Sequence, residues 1–252
     1  MINPKRNNRL TVVAGVCVVE SAAQMDEVAE VLARLANRLD FDLIFKASYR
    51  KANRTSVDAF TGVGDEAALR MIGAIADTYN LTTVTDIHAP TEAAMAAQYC
   101  NWLQIPAFLC RQTELLHAAA LTGCPILVKK GQFMNPNAMY FVAEKLERFG
   151  CRKYMFVERG TTFGYDDLVV DMRSIVRVRR FAPVLVDVTH STREPAMIEP
   201  IALAALAAGA DGVFLETHPT PRLALSDGDA ACHLDDLEHL LTKLTHLWKA
   251  LR

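Results

Sequence analysis

A chain of 252 residues, 51% hydrophobic and 22% charged, has the length of one barrel-sized domain and is too apolar to be disordered. Its formal charge of −2 at pH 7 gives no global attraction to nucleic acid, so any anion must be held by a local cluster of cations; no apolar stretch reaches membrane-spanning length. Six cysteines, at 17, 100, 110, 124, 151 and 232, contain no CxxC pair, which excludes a disulfide scaffold and suits a reducing cytoplasm.

In chain order, eight short apolar runs recur at steady intervals: LTVVAGVC (10–17), DLIFKAS (42–48), TTVTDIH (82–88), WLQIPAF (102–108), PILVKK (125–130), YMFVER (154–159), VLVDVTH (184–190) and GVFLETH (212–218). Each is strand-length and rich in Val, Ile, Leu, Phe or Thr. Between them lie segments such as MDEVAEVLARLANRL, EAALRMIGAIADTYN and AMYFVAEKLERF, whose apolar residues recur at the three- and four-residue spacing of one helix face. Strand then helix, eight times, predicts an α/β fold, a (β/α)8 TIM barrel, as a single domain over residues 1–252. Residues 1–23, basic KRNNR followed by LTVVAGVCVV and SAA, imitate a secretory leader, but their removal would delete the first strand, so we expect them to be retained. In such barrels the reactive groups sit where strands end, because many strands aim side chains at one mouth. Here those ends read Cys17, Lys46, His88, Gln104, Lys129, Arg159, His190 and Glu216.

A barrel would gather Cys17, His190 and Glu216 from distant strands, with Asp227 in the loop after the eighth. A thiolate, an imidazole and two carboxylates suit a divalent transition metal such as Zn, Fe, Mn or Co, and the sulfur argues against calcium. On composition alone a lone strand cysteine is ordinarily core, and that remains the competing assignment for Cys17. His88, His218 and the Cys232/His233 pair compete for roles near the site, whereas His117, His239 and His246 sit in helical patterns and are assigned to structure or solvent.

The segment FKASYRKANRTS places Lys46, Lys51 and Arg54 beside Asn53, Thr55 and Ser56, and further cations follow at Arg111, Lys129, Lys130 and Arg159. So many cations in one mouth of an acidic chain suit the binding of more than one phosphate. Lys129 and Arg159 end apolar runs and would need an anionic partner. Arg50, Arg70 and the arginines of RSIVRVRR (173–180) are expected to solvate surfaces.

With TDIH (85–88), QIPAFLCRQT (104–113), VKKGQF (128–133), ERGTTFGYDDLVVDMRS (158–174), DVTHS (187–191) and ETHPTPRLALSD (216–227), the chain resembles the 3-deoxy-D-manno-octulosonate 8-phosphate (Kdo 8-phosphate) synthases from about Leu10 to the final helix. The KANR element resembles that family more than the related 3-deoxy-D-arabino-heptulosonate 7-phosphate synthases, which share the barrel and a similar ligand set. The resemblance implies a metal-assisted condensation of phosphoenolpyruvate with D-arabinose 5-phosphate and water, giving Kdo 8-phosphate and inorganic phosphate, in lipopolysaccharide synthesis of Gram-negative bacteria. It implies that Lys46, Lys51, Gln104, Ala107, Lys129 and Arg159 form the phosphoenolpyruvate site, and that Asn53 and Arg54 grip the aldose phosphate. It implies that Arg111 reaches a neighbouring subunit's site in a homotetramer. Metal-dependent members of that family carry Cys at the end of the first strand where others carry Asn. Cys17, matched by His190, Glu216 and Asp227, therefore implies a metal user and displaces the core assignment. Lys46, Lys129, Arg159, His190 and Asp227 are the residues expected to carry catalysis.

The chain also departs from that pattern. After the seventh strand HSTREPAMIEP runs almost directly into a helix, without the longer Gly-Gly-x-Arg connection of the family, so the usual lid is shortened. Arg50, Asp58 and Thr61 stand where the family usually has Asp, His and Arg. These changes leave two alternatives to test, a paralogue that takes a different aldose phosphate and a barrel that binds sugar phosphates without turnover.

Overall fold

A computed structural model describes residues 8–162 and 167–251. Its eight parallel strands, Thr11–Val18, Asp42–Ser48, Thr82–Asp86, Trp102–Ile105, Ile126–Lys129, Tyr154–Glu158, Val184–Asp187 and Gly212–His218, each pair with the next, and the eighth pairs back onto the first. This closure makes the predicted (β/α)8 barrel. Eight α-helices are present among the described residues, from Ala22–Leu39 to Leu237–Ala250. The third is a single turn, Ala93–Ala96, continuing a 3-10 turn over Pro90–Glu92.

Alternation along the strands decides what the barrel contains. One residue from each strand, Val13, Ile44, Val84, Trp102, Leu127, Val157, Leu185 and Phe214, points inward, and together they form a dry interior layer. The opposite faces pack on the helices in a larger core. Burial of each Val, Leu or Ile contributes about 1.5–3 kcal/mol, so the two layers fix the strand faces firmly. The first helix illustrates the outer ring. Ser21 caps it by accepting from the Gln24 backbone N–H at 3.2 Å, Asp40 ends it in the left-handed region, and Met25, Val28, Ala29, Leu32, Leu35 and Ala36 form its buried stripe.

Five strands, the third to the seventh, end one to three residues earlier than their apolar runs suggest, and local chemistry accounts for three of the stops. Pro106 has no N–H to continue the fourth ladder. Gly160, in the left-handed region at φ +85°, turns the chain after the sixth. Asp187 Oδ1 accepts from the backbone N–H groups of Thr189 and His190 at 3.1 and 2.9 Å, bending the chain after the seventh. The third ends at Asp86, although the Ile87 N–H still reaches Gln104 O. Two glycines allow the first strand to lie close to its neighbours. A Cβ on Gly15 would stand 2.0 Å from Lys46 O, and one on Gly212 would stand 1.9 Å from Thr11 O. Residues 161–162 and 168–169 form a short antiparallel pair; the ERGTTFGYDDLVVDMRS motif includes residues 163–166, outside the described residues, as do residues 1–7 of the leader-like segment.

Candidate active site

Two residues beyond each inward apolar side chain the strand faces inward again. The positions two along from the interior layer are Gly15, Lys46, Asp86, Gln104, Lys129, Arg159, Asp187 and Glu216. Seven of the eight are polar or charged. Asp187 is buried behind Lys129 and His190, and Lys46, Asp86, Gln104, Lys129, Arg159 and Glu216 line a cavity of about 1030 Å³ at the C-terminal face, walled by the loops after the strands. Seven lysine or arginine side chains and four carboxylates line it, so the cavity is cationic inside a chain of net charge −2 and selects anions. Gly15 supplies no side chain, but the pairing of the first two strands shifts register between Val16 and Val18. The intervening bulge holds Cys17 at the rim.

Glu216 is fully buried at the centre. Its Oε1 accepts from Lys46 Nζ, and Lys51 Nζ lies 3.9 Å away. Burial alone would raise its pKa, but Lys46, His190, Lys51 and Lys129 outweigh that and hold the carboxyl well below the usual range. Asp187, equally buried, receives Lys129 Nζ at 2.8 Å and His190 Nδ1 at 2.9 Å. Against the cost of burial, His190, Lys129 and Arg159 keep it ionised. Burial lowers the pKa of Lys129 despite Asp187, and its ammonium sits 3.9 Å from the centroid of the Phe214 ring. Lys51 shows the reverse balance, because Cys17, Glu216, Asp86 and Asp227 outweigh its burial and raise it.

The residues fit a metal. Cys17, Glu216 and Asp227 each offer a ligand atom, all within 4.8 Å of one another. Glu216 Oε2 is buried with no hydrogen-bond partner, and His190 Nε2 stands 3.4 Å from it. With Nδ1–H assigned to Asp187, Nε2 presents a lone pair toward that oxygen, and a cation between the two would satisfy both. Cys17 Sγ lies 3.0 Å from Asp227 Oδ2 and 3.2 Å from Ser226 Oγ. Burial, helped by Glu216, pushes this thiol up to about 12, so a bound cation would have to displace its proton. Asp227 stands in the left-handed region at φ 51°. The donor set, one sulfur, one nitrogen and two carboxylates, is that of a divalent transition metal.

The profile of the DAHP synthetase I family matches residues 2–252. The chain belongs to the DAHP synthetase I family. Among its relatives, a Koribacter versatilis protein is 43% identical, covering 96% of this chain and 92% of its own length. A Geobacter metallireducens protein is 46% identical over 93% of this chain and 91% of its own. A Protochlamydia amoebophila protein is 41% identical over all of this chain and 95% of its own. All three are named 2-dehydro-3-deoxyphosphooctonate aldolase.

In this DAHP synthetase I family chain, Lys46, Lys51, Asn53, Arg54, Gln104, Ala107, Lys129, Arg159, His190, Glu216 and Asp227 all line the cavity, and Cys17 joins them through Asp227. Arg111 does not line it; it is exposed. Lys130 corrects the expectation of a mouth cation. Consecutive strand residues face opposite ways, so Lys130 points away from the cavity into a buried pair with Glu158 at 3.2 Å, near Gly160 O and Thr161 Oγ1. Arg50 is likewise not a solvated loop residue. It bonds Glu92 and, at 3.1 Å, Asp65. Arg179 forks onto Asp211. Among the competing histidines, His88 lines the cavity with Nδ1 3.2 Å from Glu92, and His218 Nε2 stands 3.6 Å from Glu20. His117 packs on Phe149.

Sequence reasoning passed over Asp86, Asp187, Glu92 and Ser226. Asp86 accepts from Gln104 Nε2 at 2.6 Å and Ser48 Oγ at 3.1 Å; Lys46, Lys51 and His88 hold its carboxyl low against the effect of burial. Counting two residues on from Val84 and Leu185 would have found Asp86 and Asp187. Ser226 takes Arg54 NH1 at 2.6 Å while facing Cys17 and Asp227. Only its place beside Asp227 in the LSD triplet hints at this.

Proposed function

We propose that this protein is a Kdo 8-phosphate synthase, joining phosphoenolpyruvate, D-arabinose 5-phosphate and water into Kdo 8-phosphate and inorganic phosphate with the help of a divalent transition metal, and so serving lipopolysaccharide synthesis. The observation that carries this reading is a pair of anion anchors on opposite walls. Arg54, after the second strand, and Arg159, after the sixth, each bring a buried Nε without a partner to one cavity. Second and sixth strands stand across an eight-stranded barrel from one another, so the two guanidiniums suit two separate phosphates with the ligand set beside them. The shared name of the relatives supports the same substrates.

The residues divide the chemistry. Arg159 and Lys129 hold the phosphoryl group of phosphoenolpyruvate and stabilise the charge it carries away as the C2–O bond breaks. Lys46, fixed by Glu216 and the carbonyls of Val16 and Cys17, and Gln104, fixed by Asp86, position the enolpyruvate so that its C3 faces the aldehyde. Lys51, 3.9 Å from the Glu216 that also holds Lys46, joins Lys46 on the phosphoenolpyruvate, and Arg54 and Asn53 bind the aldose phosphate at the opposite wall. Cys17, His190, Glu216 and Asp227 would hold the metal, which supplies Lewis acidity toward the aldose or the water that adds at C2. A homotetramer belongs to the same reading. Arg111 is exposed and lies outside its own cavity, which suits a role at a neighbouring subunit's site; light scattering would check the mass.

The test is phosphate release from phosphoenolpyruvate against a panel of four- and five-carbon aldose phosphates, with product mass. Release is expected only with an acceptor, strongest with D-arabinose 5-phosphate, lost on chelation and restored by a divalent metal. Metal-loaded protein that is silent with every acceptor would mean a binding barrel. A different preferred acceptor would mean a paralogue.

A further inference from the structure

Arg193 belongs neither to the ligand set nor to the cations assigned above. It lies on the four-residue connection from the turn at His190 to the helix Pro195–Ala207. That connection is tied down along its length. Its Arg193 N–H donates to Thr189 O at 2.9 Å, the Thr192 hydroxyl donates to Val188 O at 2.7 Å, and the Glu216 N–H donates to Thr189 Oγ1 at 2.9 Å. Arg193 itself is held in the left-handed region at φ 56°, which an L side chain adopts only where its surroundings impose it.

The consequence is a guanidinium in the cavity wall beside Arg159. Arg54 is half-buried and partnered by Asp227 and Ser226, and Arg159 is buried and partnered by His190 O. Arg193 is exposed, and no carboxylate pairs with it among the described residues. Its charge adds to burial in lowering the pKa of Arg159, so the two cations face a shared space that an anion would relieve. The short connection leaves no long lid over this wall. The cation stands on the connection itself.

We propose that Arg193 is a substrate-binding residue, closing with Arg159 and Lys129 on the phosphoryl group of phosphoenolpyruvate. The assignment rests on the reading of the cavity given under Proposed function, and it adds a third cation from the strand-seven connection.

Calorimetric titration of phosphoenolpyruvate into wild type, Arg193→Ala, Arg193→Gly and Arg193→Lys tests it, with KM for both substrates measured alongside. Loss of a charge-assisted contact should weaken phosphoenolpyruvate binding by about tenfold or more in the Ala and Gly variants, with Lys between. The KM for the aldose phosphate should stay within about twofold. Gly relieves the left-handed strain, so R193G should melt no lower than wild type while binding as poorly as R193A, which separates lost binding from lost folding. Binding by both variants within about twofold of wild type would overturn the proposal, as would a loss confined to the aldose phosphate. Wild type that binds phosphoenolpyruvate yet turns over no acceptor would defeat the condensation alone and leave the comparison valid; wild type that does not bind it would defeat both.

Discussion

Asp187 shows how much one carboxylate can organise. It receives Lys129, orients His190 and bends the chain leading from itself to His190. Asp187→Asn would leave Lys129 buried without its charge partner, and we expect a loss of about 3 kcal/mol or more in denaturant unfolding. Because His190 would lose its orienting acceptor, metal affinity should fall about 10–100-fold in chelator competition. Glu92 allows a cleaner test away from the candidate metal ligands. It accepts from Tyr49, Arg50 and His88; although burial opposes ionisation, the bonds from His88 and Tyr49 lower its pKa from 4.5 to about 2. A carboxylate depressed on folding stabilises fully above its unfolded pKa and less as pH falls through the folded value. Glu92→Gln should therefore flatten the stability–pH curve between pH 4.5 and about 2 by up to one proton, about 1.4 kcal/mol per pH unit. An unchanged acid slope would count against these bonds.

At the scale of strands, the barrel was legible because each apolar run had strand length and strand-forming residues, with a helical pattern following most of them. Choosing one conspicuous polar residue toward the end of each run finds Lys46, Gln104, Lys129, Arg159 and Glu216 but hides Asp86 and Asp187, which lie inside their runs ahead of a more conspicuous histidine. The two-residue period recovers them, and it also explains why Lys130, adjacent to Lys129, faces the other way. Arg50 was illegible for another reason: its acceptor Glu92 is 42 residues away, beyond any local pattern. The close approach at Gly15 was equally hidden, since a glycine within a strand says nothing of which backbone it meets. Gly15→Ala would press a methyl against Lys46 O and should cost about 3 kcal/mol, read as a lowered melting temperature with disturbed phosphoenolpyruvate binding. Normal stability would mean that the first two strands separate more easily than their register suggests.

For the molecule as a whole, the arrangement of charge matters more than its total. A mildly acidic chain keeps an excess of cations inside one cavity, where walls of low dielectric strengthen their pull on small anions. No helix among the described residues is long and apolar enough to cross a membrane. The candidate ligands also have a particular address. Cys17 comes from the first strand, Glu216 from the eighth, and these two strands meet where the sheet closes on itself. An ion shared by them would rivet the beginning of the chain to its end at the one junction that no helix crossover spans. Occupancy would then be mechanical as well as chemical. Stripping the ion should lower the melting temperature, by the equivalent of about 4 kcal/mol where it had been present at a thousand times its dissociation constant, and hydrogen exchange should quicken first along that junction.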